Sequence, residues 1–591
     1  MAGNTYYVSG TGSDSNNGLN EGTAFRTLGT AVYRMKTGDT LYVMNGNYDK
    51  GFTLFNFNGS ANNWTTIKAY PGAKPTIKTT GAGINIFSSS YVRVEGLNLE
   101  GNRKNITLEY ALKEKNNLNN PLTNSSGIEI KSWKNGQGIG GTNSHHIVIA
   151  GNTVRDFPGG GIGAMDSDYI TFEKNIVSGN GWYSPYGAQG LGANRTFNFD
   201  NNTTDYKMIF RDNIVYDNQS LVPWSQAGKI TEGHGILLDT TNQSKDGTPY
   251  LGKTLIANNI VYNNGNSGIG AFKAGNVDIV NNTVYKNSRV LANTGEIKVA
   301  YSKNVRVDNN IMYASNNQVA NVLRYSKNVN FDHNLVYNSN VFQASDNLKA
   351  TPSLQNILGK DPQFVDAAHG NFSLKAGSPA IDAGSNAFNS ITKNIPQDGD
   401  GNGIAVIDIG AYEASRINLP LIQNLNNNIV SSDNSNNVIN SKGGNDGIKG
   451  NSSNNLLQGS TGNDLLIGGK GTDGLVGGMG ADSLLHNSNA AFNTTTDTIA
   501  DFNSSQGDKI VLDKSTFSAI TSEVGTGFSN PREFQVTSLG ALSNAVIVYD
   551  PLSGQLLYNQ NGSAAGFGSG GQFAQLTGAP TLTASDFMIQ A

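Results

Sequence analysis

The chain lacks cysteine and is poor in charge, and these absences exclude several classes of site. None of the 591 residues is cysteine, which excludes disulfides, thiolate metal sites and a cysteine nucleophile. Charged residues make up only 15%, and the formal net charge of −4 gives no support to nucleic-acid binding. No apolar run approaches the ~18 residues that cross a membrane. We therefore expect neither a nucleic-acid partner nor a membrane span.

Glycine is abundant, and the length is too great for one ordinary compact domain. The 591 residues include 72 glycines, together with many Asn, Ser and Thr. This composition is typical of many short strands joined by turns. A chain of this length predicts two or more domains or an array of repeats.

One short phrase recurs through the middle of the chain and indicates a solenoid. Each copy is an Asn followed by an apolar pair and often a Tyr, and each follows an alternating strand such as VDIVNN. The shortest interval is 23 residues, which is the repeat length of a parallel β-solenoid. Stacked Asn side chains can hydrogen-bond along the ladder at the ~4.8 Å strand spacing. The repeated residues are Asn152, Asn175, Asn213, Asn259, Asn282, Asn310 and Asn334.

Six strands align by their opening residue, which is glycine in the first five. They read GIEIKS (127–132), GIGAMD (161–166), GLGANR (190–195), GILLDT (235–240), GIGAFK (268–273) and EIKVAY (296–301). If these are consecutive coils, their last residues form one ladder on the surface. Its members are Ser132, Asp166, Arg195, Thr240, Lys273 and Tyr301.

The aligned strands predict a groove with charged residues around a floor of glycines. Gly163, Gly192 and Gly270 share a place with Glu129 and Lys298, which lie towards the two ends. The neighbouring ladder begins at Lys131 and contains Asp239. Asp166, Arg195, Asp239 and Lys273 fall within about three rungs, or ~15 Å. An ordinary polar face with chance ion pairs is the simpler alternative.

Aromatic and histidine residues near the predicted groove are candidates for substrate binding. Trp182 and Trp224 lie in the longer segments between coils, where sugars often stack on such rings and where packing aromatics are equally common. His234 precedes a strand-opening glycine, and it is either a substrate contact or a hydrogen-bonded turn residue.

A nine-residue frame runs from residue 432 and predicts bound calcium. Its glycines permit tight turns, so that backbone carbonyls and Asp carboxylates converge on a hard cation. The sixth position holds Asp446, Asp464, Asp473 and Asp482. The apolar residues Ile448, Leu456, Leu466, Leu475 and Leu484 are expected to face the interior. The frame predicts a calcium-binding parallel β-roll, and Ca²⁺ is the one cofactor that we expect.

Two stretches of the sequence resemble known protein families. The segment YYVSGTGSDSNNG, followed by GDTLYVMNGNY, resembles the first coil and capping helix of secreted right-handed parallel β-helix proteins, among them the family 9 polysaccharide lyases. This resemblance extends over roughly residues 4–340. The nonapeptide frame, followed by DTIADFNSSQGDKIVLD, resembles arrays of the RTX (repeats-in-toxin) type.

These resemblances imply an all-β chain with three parts. Residues 1–350 are expected to form a right-handed parallel β-helix, with an N-terminal cap, that carries the catalytic site. Residues 351–415 would close this solenoid, and residues 416–591 would form the β-roll with a β-rich end. RTX arrays fold on meeting extracellular calcium, which implies a secreted protein. We expect a monomer.

The resemblance to family 9 lyases implies roles for individual residues. Lys273 in GIGAFKAG lies where these enzymes carry their catalytic lysine, so it would be the base in β-elimination on an acidic, uronate-containing glycan. Arg195 would be a substrate clamp or proton donor. Asp166, Asp168 and Asp239 would be ligands of a groove calcium. The calcium-binding motif of the family, which resembles DDGFD, is replaced in this chain by GHGILLD.

Three other functions fit parts of the sequence. A glycoside hydrolase could use Asp166 and Asp239, which would lie about two rungs apart, near ~10 Å. A mannuronan C5-epimerase also joins a β-helix to RTX repeats, although its YGFDPH-like word does not occur in this chain. A calcium-dependent surface or adhesion protein would need no catalytic residues.

Overall fold

The computed structural model describes most of the chain, and its residues group into two compact units. The described residues are 3–132, 143–316, 318–339, 355–375, 377–394, 396, 406–413, 429–431, 438–441, 444–486, 492, 495–538, 543–562, 564 and 566–590. One unit comprises Met1–Gln363 and Gly377–Glu413, and the other comprises Phe364–Ala376 and Ala414–Ala591. The described part of the segment predicted over 351–415 thus contributes to both units. No helix in these ranges is long and apolar enough to cross a membrane.

The first unit is a parallel β-helix, as predicted, and each of its coils contributes strands to three sheets. Successive coils pair in parallel along every sheet. Sheet I, which carries the predicted groove, has nine strands among the described residues. They are Phe52–Phe55, Ile84–Phe87, Ile128–Lys131, the first part of Ile162–Glu173, Leu191–Thr196, Ile236–Asp239, Ile269–Phe272, Ile297–Ala300 and Asn321–Arg324.

Sheets II and III complete each coil, and Ile162–Glu173 crosses from sheet I into sheet II. Sheet II holds Thr5–Val8, Thr40–Val43, Thr65–Ala69, Ser90–Glu95, His145–Ala150, the second part of Ile162–Glu173, Tyr206–Arg211, Lys253–Ala257, Gly275–Val280, Lys303–Asp308 and Lys327–Asp332. Sheet III holds Asn47–Tyr48, Thr76–Lys78, Asn98–Glu100, Thr153–Arg155, Ile176–Ser178, Ile214–Tyr216, Ile260–Tyr262, Thr283–Tyr285, Ile311–Tyr313, Leu335–Tyr337 and Ile357–Leu358.

The helices are short and lie outside the three sheets. The α-helices are Leu28–Arg34, Leu108–Lys113, Pro121–Asn124 and Asn389–Thr392. The Thr27 hydroxyl caps the first helix by accepting from the Thr30 N–H at 3.2 Å. Leu28 and Ala31 of this helix are buried with the solenoid core.

The repeated asparagines form a continuous buried ladder between sheets II and III, as predicted. Asn282 shows the pattern, since its backbone N–H and its Nδ2 both donate to Oδ1 of Asn310 at 2.9 Å. Because each side chain hydrogen-bonds to the next coil, the ladder fixes the register of the coils and pairs the amide groups of its own rungs. The rungs are Asn152, Asn175, Asn213, Asn259, Asn282, Asn310, Asn334 and Asn356.

A second asparagine ladder, which the sequence analysis missed, runs beside the entry to sheet I. Asn180, Asn218, Asn264 and Asn287 repeat the same backbone and side-chain bonds from coil to coil. Glu296 ends this ladder, because its carboxylate accepts from the Asn287 backbone N–H at 3.1 Å and from Nδ2 at 2.6 Å. Glu296 is completely buried, and this burial raises the pKa of its carboxyl to about 8.

The stability of the solenoid is expected to depend on the protonation of Glu296. The folded-state pKa of about 8 exceeds the ordinary value of 4.5. The folded chain therefore binds more protons than the unfolded chain between these two values, and the free energy of unfolding falls as the pH rises through this window. Glu296→Gln should remove this contribution and make the solenoid more stable than wild type above pH 8.

Chemical denaturation of both proteins between pH 5 and pH 10 measures this difference. Glu109→Gln, at an exposed position of the helix Leu108–Lys113, is the matched control. Parallel pH profiles for Glu296→Gln and wild type would show that the carboxyl does not titrate in this way.

The second unit contains the predicted β-roll. Apart from the antiparallel pair Phe364–Asp366 and Asn371–Leu374, its described strands form two sheets. Within the nonapeptide array, strands pair in parallel with the strand 18 residues later, so two nonapeptides make one coil. One sheet begins with Ile429–Ser431, Gly447–Lys449, Leu465–Ile467, Ser483–His486 and Lys509–Asp513, and the other with Val438–Asn440, Leu456–Thr461, Gly474–Met479 and Asp497–Ile499. Gly525–Thr526, Phe534–Val536, Ile547–Asp550, Gln555–Tyr558, Gly571–Leu576 and Phe587–Gln590 extend these sheets.

The interior of the roll is lined by one apolar residue from each repeat. Ile448, Leu466, Leu475 and Leu484 are buried, as predicted. In the repeat that begins at Gly450 the buried residue is Leu457. The assignment of Leu456 was wrong, because alternate residues of a strand face opposite sides.

Candidate functional site

The strands of sheet I pair in the register that their opening residues predicted. Ile162 pairs with Leu191, Leu191 with Ile236, and Ile236 with Ile269. The residues one place before these strands therefore stack, and so do the residues at their ends. The alignment of the coils is confirmed.

The ladder that contains Lys273 is a row of turn residues, which we call the turn row. It begins with Asn56 and Ser88 on earlier coils, and from Asp166 onward its members are Asp166, Arg195, Thr240, Lys273, Tyr301 and Tyr325, with φ between 46° and 56°. This left-handed conformation favours Gly and Asn, and it strains bulky or β-branched residues. The next turn of the coil has the same conformation and uses Asp or Asn at four of six such positions; its residues are Lys174, Asp212, Asn258, Asn281, Asn309 and His333.

The contrast between the two turns indicates that the side chains of the turn row matter. Both turns need the same backbone, and the second mostly uses Asp and Asn, which adopt it at low cost. The first turn instead carries acidic, basic and aromatic side chains. Strained residues of this kind cluster at functional sites, which makes the turn row a candidate site.

Lys273 is the exposed cation of the turn row. Its ammonium lies 5.4 Å from the centre of the Phe272 ring. Within the described ranges its side chain makes no hydrogen bond or ion pair. Its backbone N–H donates to Ala300 O at 2.9 Å, which fixes its place between Thr240 and Tyr301 in the row.

Asp166 and Arg195 form a bidentate ion pair on adjacent rungs. Arg195 Nε donates to Asp166 Oδ1 at 2.8 Å, and Nη2 donates to Oδ2 at 3.1 Å. The guanidinium has five N–H donors, so this pair leaves others for a ligand. The pair therefore holds Arg195 in a fixed orientation two coils from Lys273.

Asp239 occupies the neighbouring outward row and is positioned by two hydrogen bonds. Asn194 Nδ2 donates to its Oδ2 at 2.9 Å, and the Thr240 hydroxyl donates to its Oδ1 at 2.8 Å. Asp239 is partly exposed. Its carboxylate thus lies beside the turn row, between the coils of Arg195 and Lys273.

Glu232 is a site residue that the sequence analysis missed. Its side chain is 17% exposed, and its Oε2 lies 3.7 Å from His234 Nε2. Burial, followed by the charge of Asp239, raises the pKa of its carboxyl to about 7, although the Lys298 ammonium opposes this. Burial also lowers the pKa of Lys298. Glu232, Asp239 and Lys298 thus form one electrostatically coupled cluster.

His234 supports the groove and is covered, so it is not placed for the predicted contact with substrate. It is 4% exposed, and its Nδ1 lies 2.7 Å from the Ser267 hydroxyl. Burial lowers the pKa of His234 to about 3, which keeps the ring neutral. A Cβ at Gly270 would lie 3.2 Å from this Nδ1. The predicted glycine floor therefore makes room for the imidazole at this position.

The other predicted contact residues lie at different distances from the cluster. Lys131 and Glu129 form an ion pair at 2.7 Å two coils before Arg195. Trp182 is packed against protein, since its ring lies 4.3 Å from the Arg103 guanidinium and its Nε1 donates to Asp217 O. Trp224 and Glu232 both pack against Gly187. A Cβ placed on this glycine would lie 3.3 Å from Trp224 Cγ and 2.8 Å from Glu232 Cγ, so the two side chains are neighbours.

Asp168 lies outside the groove, so the three predicted ligands of a groove calcium do not come together. Asp168 is fully buried. Tyr250 Oη donates to its Oδ1 at 2.6 Å, and the Phe199 N–H donates to its Oδ2 at 2.9 Å. Asp166 is engaged by Arg195. No group of three acidic or histidine residues in the described ranges is placed to hold a metal ion.

The carboxylates of the nonapeptide array fit a hard cation. Asp473 Oδ1 accepts from the Asn455 N–H at 2.7 Å, whereas its Oδ2 is buried without a hydrogen-bond partner. A Cβ at Gly468 would lie 2.6 Å from this Oδ2, so only glycine leaves the space open. Oδ2 of Asp464 and Oδ2 of Asp482 are buried in the same way. Buried carboxylate oxygens without donors are the ligands that Ca²⁺ requires.

The fold and site define a parallel β-helix protein with a cluster of charged residues along one sheet, together with a calcium-binding β-roll. Residues 449–484 match the RTX calcium-binding nonapeptide repeat family in four copies. The matched residues cover only part of the two sheets of the β-roll. The assignment of the first unit to a β-helix depends on the strand pairing described above.

Solved structures similar to this chain include carbohydrate-active enzymes. Pectate lyase Pel9A shows 15% identity and a TM-score of 0.40, over 70% of this chain and 97% of that chain. A rhamnogalacturonan lyase shows 15% identity and a TM-score of 0.33, over 56% and 87%. The A-module of mannuronan C-5 epimerase AlgE6 from Azotobacter vinelandii shows 16% and 0.29, over 54% and 89%. None of the curated proteins matches the chain.

Proposed function

We propose that the chain is an extracellular polysaccharide lyase that cleaves a uronate-containing glycan by β-elimination in the groove of sheet I. The observation that carries this proposal is the exposed Lys273 ammonium, held in a strained turn row together with Arg195. Lys273 is the base, and Arg195 is the clamp for the substrate carboxylate.

β-Elimination needs two groups on the enzyme. A base removes the proton from the carbon beside the uronate carboxylate, and cations stabilise the negative charge that then develops on that carboxylate. The electron pair of the broken C–H bond forms a carbon–carbon double bond, and the glycosidic oxygen leaves with its bonding electrons. Lys273 Nζ is the atom that takes the proton, and the remaining N–H donors of Arg195 are suited to bind the carboxylate.

Lys298 adds a second positive charge to the same part of the groove. It lies on the coil after Lys273's strand, because Gly270 pairs with Lys298. The charge of Glu232 opposes the effect of burial on the pKa of Lys298, and a substrate carboxylate would be attracted to the same ammonium. We assign no step to a groove calcium, because Asp166 and Asp239 are bound by protein donors and no group of three acidic or histidine residues in the described ranges is placed to hold a metal ion. Calcium acts in the β-roll, and the match to RTX calcium-binding repeats supports the assignment to an extracellular protein.

Product analysis on a panel of polymers tests this function. The purified full-length protein with calcium is incubated with polygalacturonate, alginate and neutral dextran. We expect a rise in ultraviolet absorbance from unsaturated uronate ends on an acidic polymer and none on dextran. New reducing ends without that absorbance would indicate a hydrolase, and altered stereochemistry without cleavage would indicate an epimerase. Calcium-dependent binding to a polymer without any reaction would indicate an adhesion protein.

The second candidate function is a glycoside hydrolase, and Glu232 is the observation that favours it. A carboxyl whose pKa is raised to about 7, beside a second carboxylate, is the usual arrangement of a general acid and its partner. This pair is Glu232 and Asp239 rather than the Asp166 and Asp239 expected from sequence, since Asp166 is held by Arg195.

Glu232→Gln separates the two functions. In a lyase that uses Lys273, Glu232 tunes Lys298, so we expect kcat to fall by less than about tenfold. In a hydrolase that uses Glu232 as the acid, kcat should fall by the ~10²–10⁴-fold typical of a lost general acid. Initial rates on the cleaved polymer measure the difference, with Glu109→Gln as the control for an exposed glutamate.

A further inference from the structure

Beyond Lys273, the turn row continues as two exposed aromatic side chains. Tyr301 is 50% exposed and Tyr325 is 70% exposed. Their rings are stacked, with centroids 5.1 Å apart and an interplanar angle of 27°. Phe272 meets Tyr301 edge-on at 5.5 Å. A continuous aromatic surface therefore begins beside Lys273 and extends for two coils.

The backbone at both tyrosines is unfavourable for aromatic residues. Tyr301 has a φ of 53° and Tyr325 a φ of 46°. Asn or Gly would adopt this conformation with less strain, as Asn258 and Asn281 do at the other turn. The rings are also too exposed to contribute much to the core. Neither local conformation nor burial therefore accounts for tyrosine at these positions.

Positive charge accompanies the aromatic surface. Arg324 immediately precedes Tyr325 and is exposed. Arg324 and Lys298 are close enough to interact, since the charge of Arg324 contributes to lowering the pKa of Lys298. Lys273 lies at the start of the surface. Flat rings and cations together match a sugar ring that carries a carboxylate, because its C–H face packs on the rings and its carboxylate binds guanidinium.

We propose that Tyr301, Tyr325 and Arg324 form a subsite for uronate residues of the glycan adjacent to the linkage that is cleaved. This inference rests on the proposed function, whose groove it extends by two coils. The subsite binds substrate without taking part in the chemical step, so it determines KM and the preference for acidic polymers. Continuity with the turn row identifies the occupant as the same glycan chain that reaches Lys273.

The double variant Tyr301→Asn and Tyr325→Asn tests the subsite, because asparagine removes the rings and suits the left-handed backbone. We expect the melting temperature of the β-helix to be retained or raised. Affinity electrophoresis in polygalacturonate and alginate gels should show at least tenfold weaker binding to the polymer that wild type binds. KM on that polymer should rise by at least tenfold, while kcat changes by less than threefold. Tyr33→Ala, at an 86% exposed tyrosine of the first helix, is the control.

Arg324→Gln separates charge from stacking. We expect it to weaken binding to the acidic polymer and to reduce the salt dependence of that binding. Dextran, which carries no carboxylate, should bind none of the proteins.

The outcomes distinguish this inference from the proposed function. Unchanged affinity and KM in the asparagine double variant, with turnover intact, would overturn the subsite alone. Lost binding in that variant, in a wild-type protein that binds but never cleaves, would support the subsite and refute the lyase. A wild-type protein that binds neither acidic polymer would overturn the subsite. A wild-type dimer that the double variant dissociates would assign the surface to a second copy of the chain and overturn it as well.

Discussion

Lys273→Ala is expected to lower kcat on the cleaved uronate polymer by ~10²–10⁴-fold, the usual contribution of a general base. The side chain is exposed and bonds to no other described residue, so its removal should leave the fold intact. Rates of ultraviolet absorbance change measure turnover, and thermal unfolding measures the fold. Lys50→Ala, at an exposed lysine of the first coils, is the matched control and should retain wild-type activity.

Lys273→Arg distinguishes a base from a cation that only holds the substrate. Arginine keeps the positive charge but does not give up its proton at any pH that proteins tolerate. If Lys273 is the base, the arginine variant is as inactive as the alanine variant. Substantial activity in Lys273→Arg would reduce Lys273 to a carboxylate ligand. Full activity in Lys273→Ala together with its loss in Lys298→Ala would move the base to Lys298, whose pKa burial lowers.

Removal of calcium is expected to unfold the β-roll while the β-helix remains folded. Without the cation, the buried Oδ2 atoms of Asp464, Asp473 and Asp482 have no partner, and burial raises the pKa of Asp473 to about 7. Structural metal binding of this kind contributes directly to folding free energy. Addition of a chelator should abolish the protease resistance of the array, and addition of excess calcium should restore it.

Substitutions at the sixth position of the repeat should shift the calcium midpoint in opposite directions. Asp473→Asn removes a carboxylate ligand and should raise the calcium concentration needed for folding by at least ~10-fold. Asn455→Asp adds a carboxylate at the equivalent position of another repeat, and it should lower that concentration. Calcium titrations followed by circular dichroism measure both midpoints. A β-roll that keeps its protease resistance in chelator, or midpoints that do not move, would contradict a structural role for calcium.

The sequence predicted the register of the aligned coils correctly because five of the six aligned strands of sheet I begin at a glycine. Gly161, Gly190 and Gly235 mark the same place on successive coils. The first asparagine ladder was equally predictable, because Asn282 and its counterparts each precede a repeated motif of two apolar residues. Lys273 could be placed on the turn row from this frame alone.

The sequence-based predictions were wrong or incomplete where the chain departs from the repeated pattern of strands. Asp168 is only two residues after Asp166, but the strand Ile162–Glu173 turns into sheet II between them, and the second aspartate becomes buried. Glu232 lies in the long segment between sheets III and I, where no repeat fixes its position. The second ladder escaped notice because Asn180 and Asn218 stand in similarly variable segments. The signal at Glu232 was its place two residues before His234 in TEGHG.

The mass of the products from a uronate oligosaccharide of defined length tests the central claim most directly. β-Elimination adds no water, so the account predicts two fragments whose masses sum to that of the intact oligosaccharide, with the missing water at the unsaturated end. Lys273→Ala should give neither fragment. Fragments that together exceed the parent by one water would contradict the account, because they would show hydrolysis in this groove.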